Sequence, residues 1–203
     1  KNKLKGIATK KDELLGVFRR GGFSSTIDFY SHFIMATRVG IALGTNLGQR
    51  LTHLREARDM LRQLVDRDSH YLQAPVYQSA PVGCREGSPD FYNTVIEIDY
   101  IGKPYELLAK TQGIEFHLGR EAVYERNAPR IIDIDILYMG DESMQDEILS
   151  IPHPRLIHRR FALQPLNDIR PDLILPGDEV TISEHLRHLE SDEPSLTLVQ
   201  ITW

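Results

Sequence analysis

The spacing of apolar residues changes along the chain, and each change marks an element. Residues 38–43 (RVGIAL) form a short apolar run that stops at Gly44-Thr45-Asn46, predicting a strand and then a turn. From Leu47 the period lengthens. Leu47, Leu51, Leu54, Leu61, Leu64 and Val65 fall on one helical face, with charged residues between them. Asn46 stands where an N-cap is expected. Residues 71–78 are β-prone and break at Ala80-Pro81-Val82-Gly83, and residues 84–90 read as a polar loop. Residues 91–100 (FYNTVIEIDY) predict a strand. Phe91, Asn93, Val95, Glu97 and Asp99 share one face, and Tyr92, Thr94, Ile96, Ile98 and Tyr100 the other.

A second helix opens at Gly102-Lys103-Pro104, with Pro104 suited to its first position. Leu107, Leu108, Thr111, Ile114 and Leu118 give it an apolar stripe, and Gly119 is a fitting terminator. Residues 131–139 (IIDIDILYM) predict another strand. Pro152, Pro154, Pro165, Pro171 and Pro176 then punctuate an irregular C-terminal third, with a short helix over 181–189 and a last strand over 196–203. The order β-α-β-β-α-β predicts an α+β chain. It is the order of a ferredoxin-like plait, a mainly antiparallel sheet with helices packed on it.

Composition adds boundaries to this picture. At 203 residues, 41% apolar and 26% charged, the chain suits one domain with an appendage and can bury a core without staples. A single cysteine, Cys84, excludes an intrachain disulfide and a multi-cysteine metal site. No run approaches the length of a membrane span, so a cytoplasmic protein is expected. The net charge of −5 is unevenly spread: residues 1–34 carry +4 and the rest −9. An acidic body argues against general nucleic-acid binding.

Residues 1–34 form a basic N-terminal extension, rich in Lys, Gly and Ser, with a helix-like stretch only at 12–20. Three readings stand for them: leader or expression-derived sequence ahead of a natural start at Met35, a transit peptide, or an extension packed on the body. Asp12, Glu13 and Asp28 count against the second, because transit peptides avoid acids.

The sharpest chemistry lies at Arg130-Ile-Ile-Asp133-Ile-Asp135-Ile-Leu137. Positions i and i+2 of a strand face one way, so Asp133 and Asp135 point together while Ile132, Ile134 and Ile136 point to the core. Two adjacent carboxylates repel unless a cation lies between them, and hard oxygen ligands suit Mg²⁺. A strand with one solvated face fits the same spacing. Arg120, Arg126 and Arg130 lie just upstream, and Arg155, Arg159 and Arg160 downstream near His153 and His158. Guanidinium groups are preferred partners of phosphate, so the surroundings favour phosphate chemistry. Gly44-Thr45-Asn46-Leu47-Gly48 is no P-loop, and neither a dinucleotide fingerprint nor a nucleophile elbow occurs.

Several motifs then agree in order. Asn127-Ala-Pro-Arg-Ile-Ile-Asp-Ile-Asp-Ile-Leu137 is the strongest. Ile41-Ala-Leu-Gly-Thr-Asn-Leu-Gly48, Tyr77-Gln-Ser-Ala-Pro-Val-Gly83, Asp90-Phe-Tyr-Asn93 and Ile151-Pro-His153 with Arg159 and Phe161 support it. Together they resemble the 6-hydroxymethyl-7,8-dihydropterin pyrophosphokinase family of folate biosynthesis, from about Arg38 to Pro176. The resemblance implies transfer of pyrophosphate from ATP to the pterin hydroxymethyl group, releasing AMP. It assigns two Mg²⁺ ions to Asp133 and Asp135, and phosphate clamping to Arg120, Arg126 and Arg130. Gln112, Glu115, Ile136, His153 and Arg159 match positions on the nucleotide side. Ser79, Ala80, Pro81 and Val82, with Phe91, Asn93 and Phe161, match the pterin pocket, where the two rings sandwich the heterocycle and Asn93 reads its edge. Ala122, Asn127 and Pro154 depart from the family pattern. The implied domain is 35–203, a monomer or weak homodimer binding ATP and a reduced pterin, with no nucleic acid or membrane partner. A non-catalytic plait module is the alternative, disfavoured because Asp133, Asp135 and Asn93 are all retained.

Overall fold

A computed structural model describes residues 36–120, 128–191 and 194–203. The expected extension over 1–34, and Ala122, Arg126 and Asn127, lie outside them.

The first strand, β1 (Thr37–Thr45), turns Val39, Ile41 and Leu43 to one side, where each is at most 1% exposed. Helix α1 (Arg50–Arg62) and helix α2 (Pro104–His117) cover that side. They contribute Leu54, Ala57 and Leu61, and Leu107 and Ile114, to one core. Each fully buried aliphatic side chain here is worth roughly 1.5–3 kcal/mol before the entropy of ordering it. Strands β2 (Tyr71–Gln73) and β3 (Val76–Ser79) follow α1, and β4 (Phe91–Tyr100) matches its predicted limits. Strand β5 (Asp133–Met139) starts two residues later than its apolar pattern. The sheet runs β5-β1-β4-β3, with β2 also on β4 and every pairing antiparallel. The chain is therefore an α+β protein with a mainly antiparallel sheet.

The opposite side of β1 is Gly40, Ala42 and Gly44. A register shift between Gly40 and Ile41 leaves Leu137 without a partner in β1 and sends both Leu137 and Tyr138 into a second core. A Cβ on Gly40 would lie 2.1 Å from Tyr138 Cε1, so glycine is required under that ring.

The C-terminal third is more regular than its prolines predict. Residues Arg160–Ile169 form helix α3, with Pro165 inside it. An interior proline costs about 3 kcal/mol. Here Ala162, Leu163 and Leu166 are buried on the second core, which offsets the loss. The far end of α3 is tied down by its C-cap Arg170, which donates to Glu97 at 2.9 Å. Glu97 is fully buried on β4 and also meets Tyr138 Oη and, at 2.6 Å, His70 Nε2. Two two-residue strands, β6 (Met144–Gln145) and β7 (Ser150–Ile151), pair with each other. Helix α4 (Ile182–His188) begins at a capping box formed by Thr181 and Glu184. Strand β8 (Thr197–Gln200) adds to the sheet beside β3. No helix among the described residues is long and apolar enough to cross a membrane.

Candidate active site

The small residues of β1 leave room on the second face, and the ends of three strands open into it. Register pairs Gly44 with Asn93 on β4 and with Asp133 on β5. One row across the sheet thus reads amide, glycine, carboxylate. A Cβ on Gly44 would meet Asn93 Oδ1 at 3.1 Å and Asp133 Cβ at 3.9 Å. The resulting cleft has a volume of about 320 Å³.

One half of the cleft carries an aromatic and amide set. Phe91, Phe161, Asn93, Ser79, Ala80 and Val82 line it, together with Cys84 and Thr94. Asn93 Nδ2 donates to Ser79 Oγ at 2.8 Å, with both residues buried. That bond holds the amide group in place at the cavity wall. Pro81 is beside this wall but is not part of the lining.

The other half is charged, with Arg120, Arg130, Asp133, Asp135, Arg155 and Arg159 on its walls. Asp133 and Asp135 share a face as the i, i+2 spacing demands, and Ile134 and Ile136 turn into the helical core. Asp133 receives Arg120 Nη1 on Oδ1 at 2.7 Å and Arg130 Nη1 on Oδ2 at 2.8 Å. Arg120 also pairs with Glu115. Glu115 in turn accepts the Ile134 N–H at 2.7 Å, clamping the end of α2 to β5. Burial pushes the Glu115 carboxyl up to about 7, outweighing the Arg120 guanidinium. Asp135 is pushed up to about 6 by burial and then by the charge of Asp133, against the pull of Arg159, Arg155 and Arg130. His153 is pushed down to about 4 by burial and by Arg155 and Arg159, so its imidazole is neutral at physiological pH.

The predicted residues therefore divide. Arg120, Arg130, Asp133, Asp135, Arg159, Ser79, Ala80, Val82, Phe91, Asn93 and Phe161 converge on one cleft. Glu115 stands behind the charged wall, and His153 beside Arg155. Gln112 is exposed on α2, and the Ile136 side chain is 4% exposed in the core, so neither side chain lines the cavity. Asn46 is not an N-cap. Helix α1 begins after Gln49, and Asn46 is 2% exposed. Asn46 Oδ1 accepts from Arg130 N at 2.8 Å, and its Nδ2 donates to Pro89 O at 3.2 Å. It brackets the segments that deliver Arg130 and β4, a long-range task that local spacing does not reveal.

A family model for 7,8-dihydro-6-hydroxymethylpterin-pyrophosphokinase (HPPK) matches residues 40–171, which span both halves of the cleft. The chain belongs to this family. It is 41% identical over 129 residues to the 2-amino-4-hydroxy-6-hydroxymethyldihydropteridine pyrophosphokinase of Bacillus subtilis (strain 168), covering 64% of this chain and 75% of the relative. It is 35% identical over 152 residues to the folic acid synthesis protein fol1 of Pneumocystis carinii, and there it spans 20% of the relative's length against 74% of its own. The crystal structure of wild-type Plasmodium falciparum HPPK-DHPS with pteroate is similar in fold, with a TM-score of 0.59 at 16% identity over 75% of this chain and 42% of that one. The family match begins at Gly40 and includes the whole small-residue face of β1. It also includes Asn46, whose bracket carries Arg130 to Asp133.

Proposed function

We propose that this chain transfers pyrophosphate from ATP to the hydroxymethyl group of 6-hydroxymethyl-7,8-dihydropterin, releasing AMP, in tetrahydrofolate biosynthesis. The observation that carries the reading is the row Asn93, Gly44, Asp133. In it a glycine floor separates a buried amide on β4 from a carboxylate on β5, with the arginine wall beyond, and this supports a heterocycle on one side and phosphates on the other.

The chemistry follows from that layout. Phe91 and Phe161 offer aromatic faces to a flat pterin, and Asn93, held by Ser79, pairs with its edge. The pterin hydroxyl oxygen forms a bond to the β-phosphorus of ATP. The bond from that phosphorus to the α-phosphate oxygen breaks, AMP leaves with the electron pair, and the hydroxyl proton is released. Arg120, Arg130 and Arg159 stabilise charge on the phosphates. The neutral His153 and Glu115 belong to the nucleotide side, with Gln112 and the backbone of Ile136, and Arg126 joins the clamp. Ser79, Ala80, Pro81 and Val82 supply the remaining pterin contacts through their backbone.

Two Mg²⁺ ions fit the donor set. Asp133 and Asp135 are adjacent hard carboxylates, and the Asp135 carboxylate makes no hydrogen bond among the described residues. No group of three or more His, Cys, Asp or Glu forms a metal cage among those residues. Mg²⁺ takes one or two carboxylates and completes its shell with phosphates and water, so a pair suffices. When bound, the ions neutralise triphosphate charge.

The strand order β5-β1-β4-β3, with α1 and α2 on one face, supports a ferredoxin-like plait, and residues 35–203 are read as the catalytic domain behind a basic extension. A cytoplasmic monomer or weak homodimer completes the reading. Its test is AMP formation from ATP, Mg²⁺ and the reduced pterin. No AMP above the enzyme-free blank would overturn it.

A further inference from the structure

The charged wall carries four arginines, and they are not equivalent. Arg120 is bonded to Glu115 and Asp133, and Arg130 to Asp133 and the Ala128 carbonyl. Arg159 lies over the Phe161 ring, 5.3 Å from its centroid. Arg155 differs. Among the described residues its guanidinium makes no hydrogen bond and no ion pair, although it lines the cleft and is exposed to solvent.

Its backbone, by contrast, is fixed. The Arg155 N–H donates to His153 Nδ1 at 3.2 Å, and its carbonyl accepts from His158 N at 3.3 Å. The next residue, Leu156, is 1% exposed and anchors a short 3-10 turn, Leu156–His158, in the second core. A fixed backbone thus presents an exposed cationic fork to the cleft. The charge of that fork acts on Asp135 and on His153. The fork shares the cleft with Asp135, the carboxylate that no arginine is bonded to among the described residues, and it lies on the same segment as Phe161.

The geometry points to Arg155 as a substrate-binding residue that grips the terminal phosphates of the nucleotide and makes the site prefer a triphosphate to a monophosphate. This inference rests on the pyrophosphokinase reading and deepens it. Arg120 and Arg130 each hold a carboxylate contact through Nη1, which leaves only their other N–H donors for a phosphate. Arg155 has none to lose, so its fork can take phosphate oxygens in the bidentate manner at once. Phe161, the wall assigned to the pterin, is six residues further on, so the same segment spans acceptor and transferred group.

The test uses the full chain with Mg²⁺, measuring binding of α,β-methylene-ATP, of AMP and of the pterin by calorimetry, beside steady-state AMP formation. In Arg155→Ala, α,β-methylene-ATP should bind about tenfold more weakly, while AMP and pterin affinities stay within about twofold of the parent. Arg155→Lys, which keeps the charge and loses the fork, should recover part of that loss. The KM for ATP should rise with little change in the KM for pterin. Unchanged binding of α,β-methylene-ATP overturns the inference, as does an equal loss for AMP or a loss confined to the pterin. A parent chain that makes no AMP would refute the pyrophosphokinase reading itself, a result distinct from all of these.

Discussion

Gly44→Ala is the substitution that separates the site from the fold most cleanly. The added Cβ would sit 3.1 Å from Asn93 Oδ1, close enough that the amide must yield by a few tenths of an ångström. Asn93 is anchored by its 2.8 Å bond to Ser79 Oγ, so yielding stretches that bond. Weakening one buried hydrogen bond costs about 0.5–1.5 kcal/mol. Replacing glycine by alanine within a strand returns about 0.5–1 kcal/mol through the unfolded chain. The two nearly cancel, and because 1 kcal/mol moves the Tm of a domain this size by about 2–4 °C, the melting temperature should shift by less than that. Pterin recognition has no such compensation. Displacing the amide that reads the heterocycle should weaken pterin binding by about 1.4 kcal/mol, or tenfold. Asp133 Cβ, at 3.9 Å, is in ordinary contact with the added methyl, so ATP binding should be unaffected. Calorimetry with the pterin and separately with α,β-methylene-ATP measures both, and differential scanning calorimetry gives the Tm. Pterin affinity within about twofold of the parent would refute the placement of Asn93 at the heterocycle, and so would an equal loss for the nucleotide.

Three further outcomes follow from the packing and the charges. Leu163 is fully buried on the inner face of α3, so Leu163→Ala should lower urea stability by about 2–5 kcal/mol; a loss below about 1 kcal/mol would mean that α3 is not docked on the sheet as described. The Glu115 carboxyl is held up to about 7 in the folded chain, above its ordinary 4.5, so the native state keeps a proton that the unfolded chain has released. Its contribution is complete below pH 4.5 and is lost as pH rises through about 7, so urea stability of the parent should fall over that interval relative to Glu115→Gln, and parallel curves would refute the shift. The His153 imidazole, held down to about 4, should show neutral-ring NMR shifts at pH 5.5, and a midpoint near 6.5 would place it in solvent.

How much of this was legible in the sequence depends on the range of the interaction. Strand β4 was readable to the residue because its alternation is local, and α2 because Pro104 and Gly119 mark its ends. The shared face of Asp133 and Asp135 follows from the two-residue period alone. Helix α3 was missed because Pro165 argues locally against it, while the burial that sustains it comes from Val95, Leu137 and Tyr138, far away in sequence. The break at Ala74-Pro75 between β2 and β3 was likewise hidden in one β-prone run. Asn46 looked like a cap because its type suits one, yet its partners are 84 and 43 residues away. At the site, residue types pointed to phosphate and aromatic chemistry. They could not tell which arginines are already bonded to carboxylates, and that distinction sets Arg155 apart from Arg120 and Arg130.

The central claim is tested most directly by counting AMP. The full chain, given ATP, Mg²⁺ and 6-hydroxymethyl-7,8-dihydropterin, should release one AMP for each pyrophosphorylated pterin. Asp135→Ala should slow that release by about two orders of magnitude or more while both substrates are still consumed in equal amounts. A parent chain that releases no AMP, or an Asp135→Ala chain that turns over at the parent rate, would contradict the account.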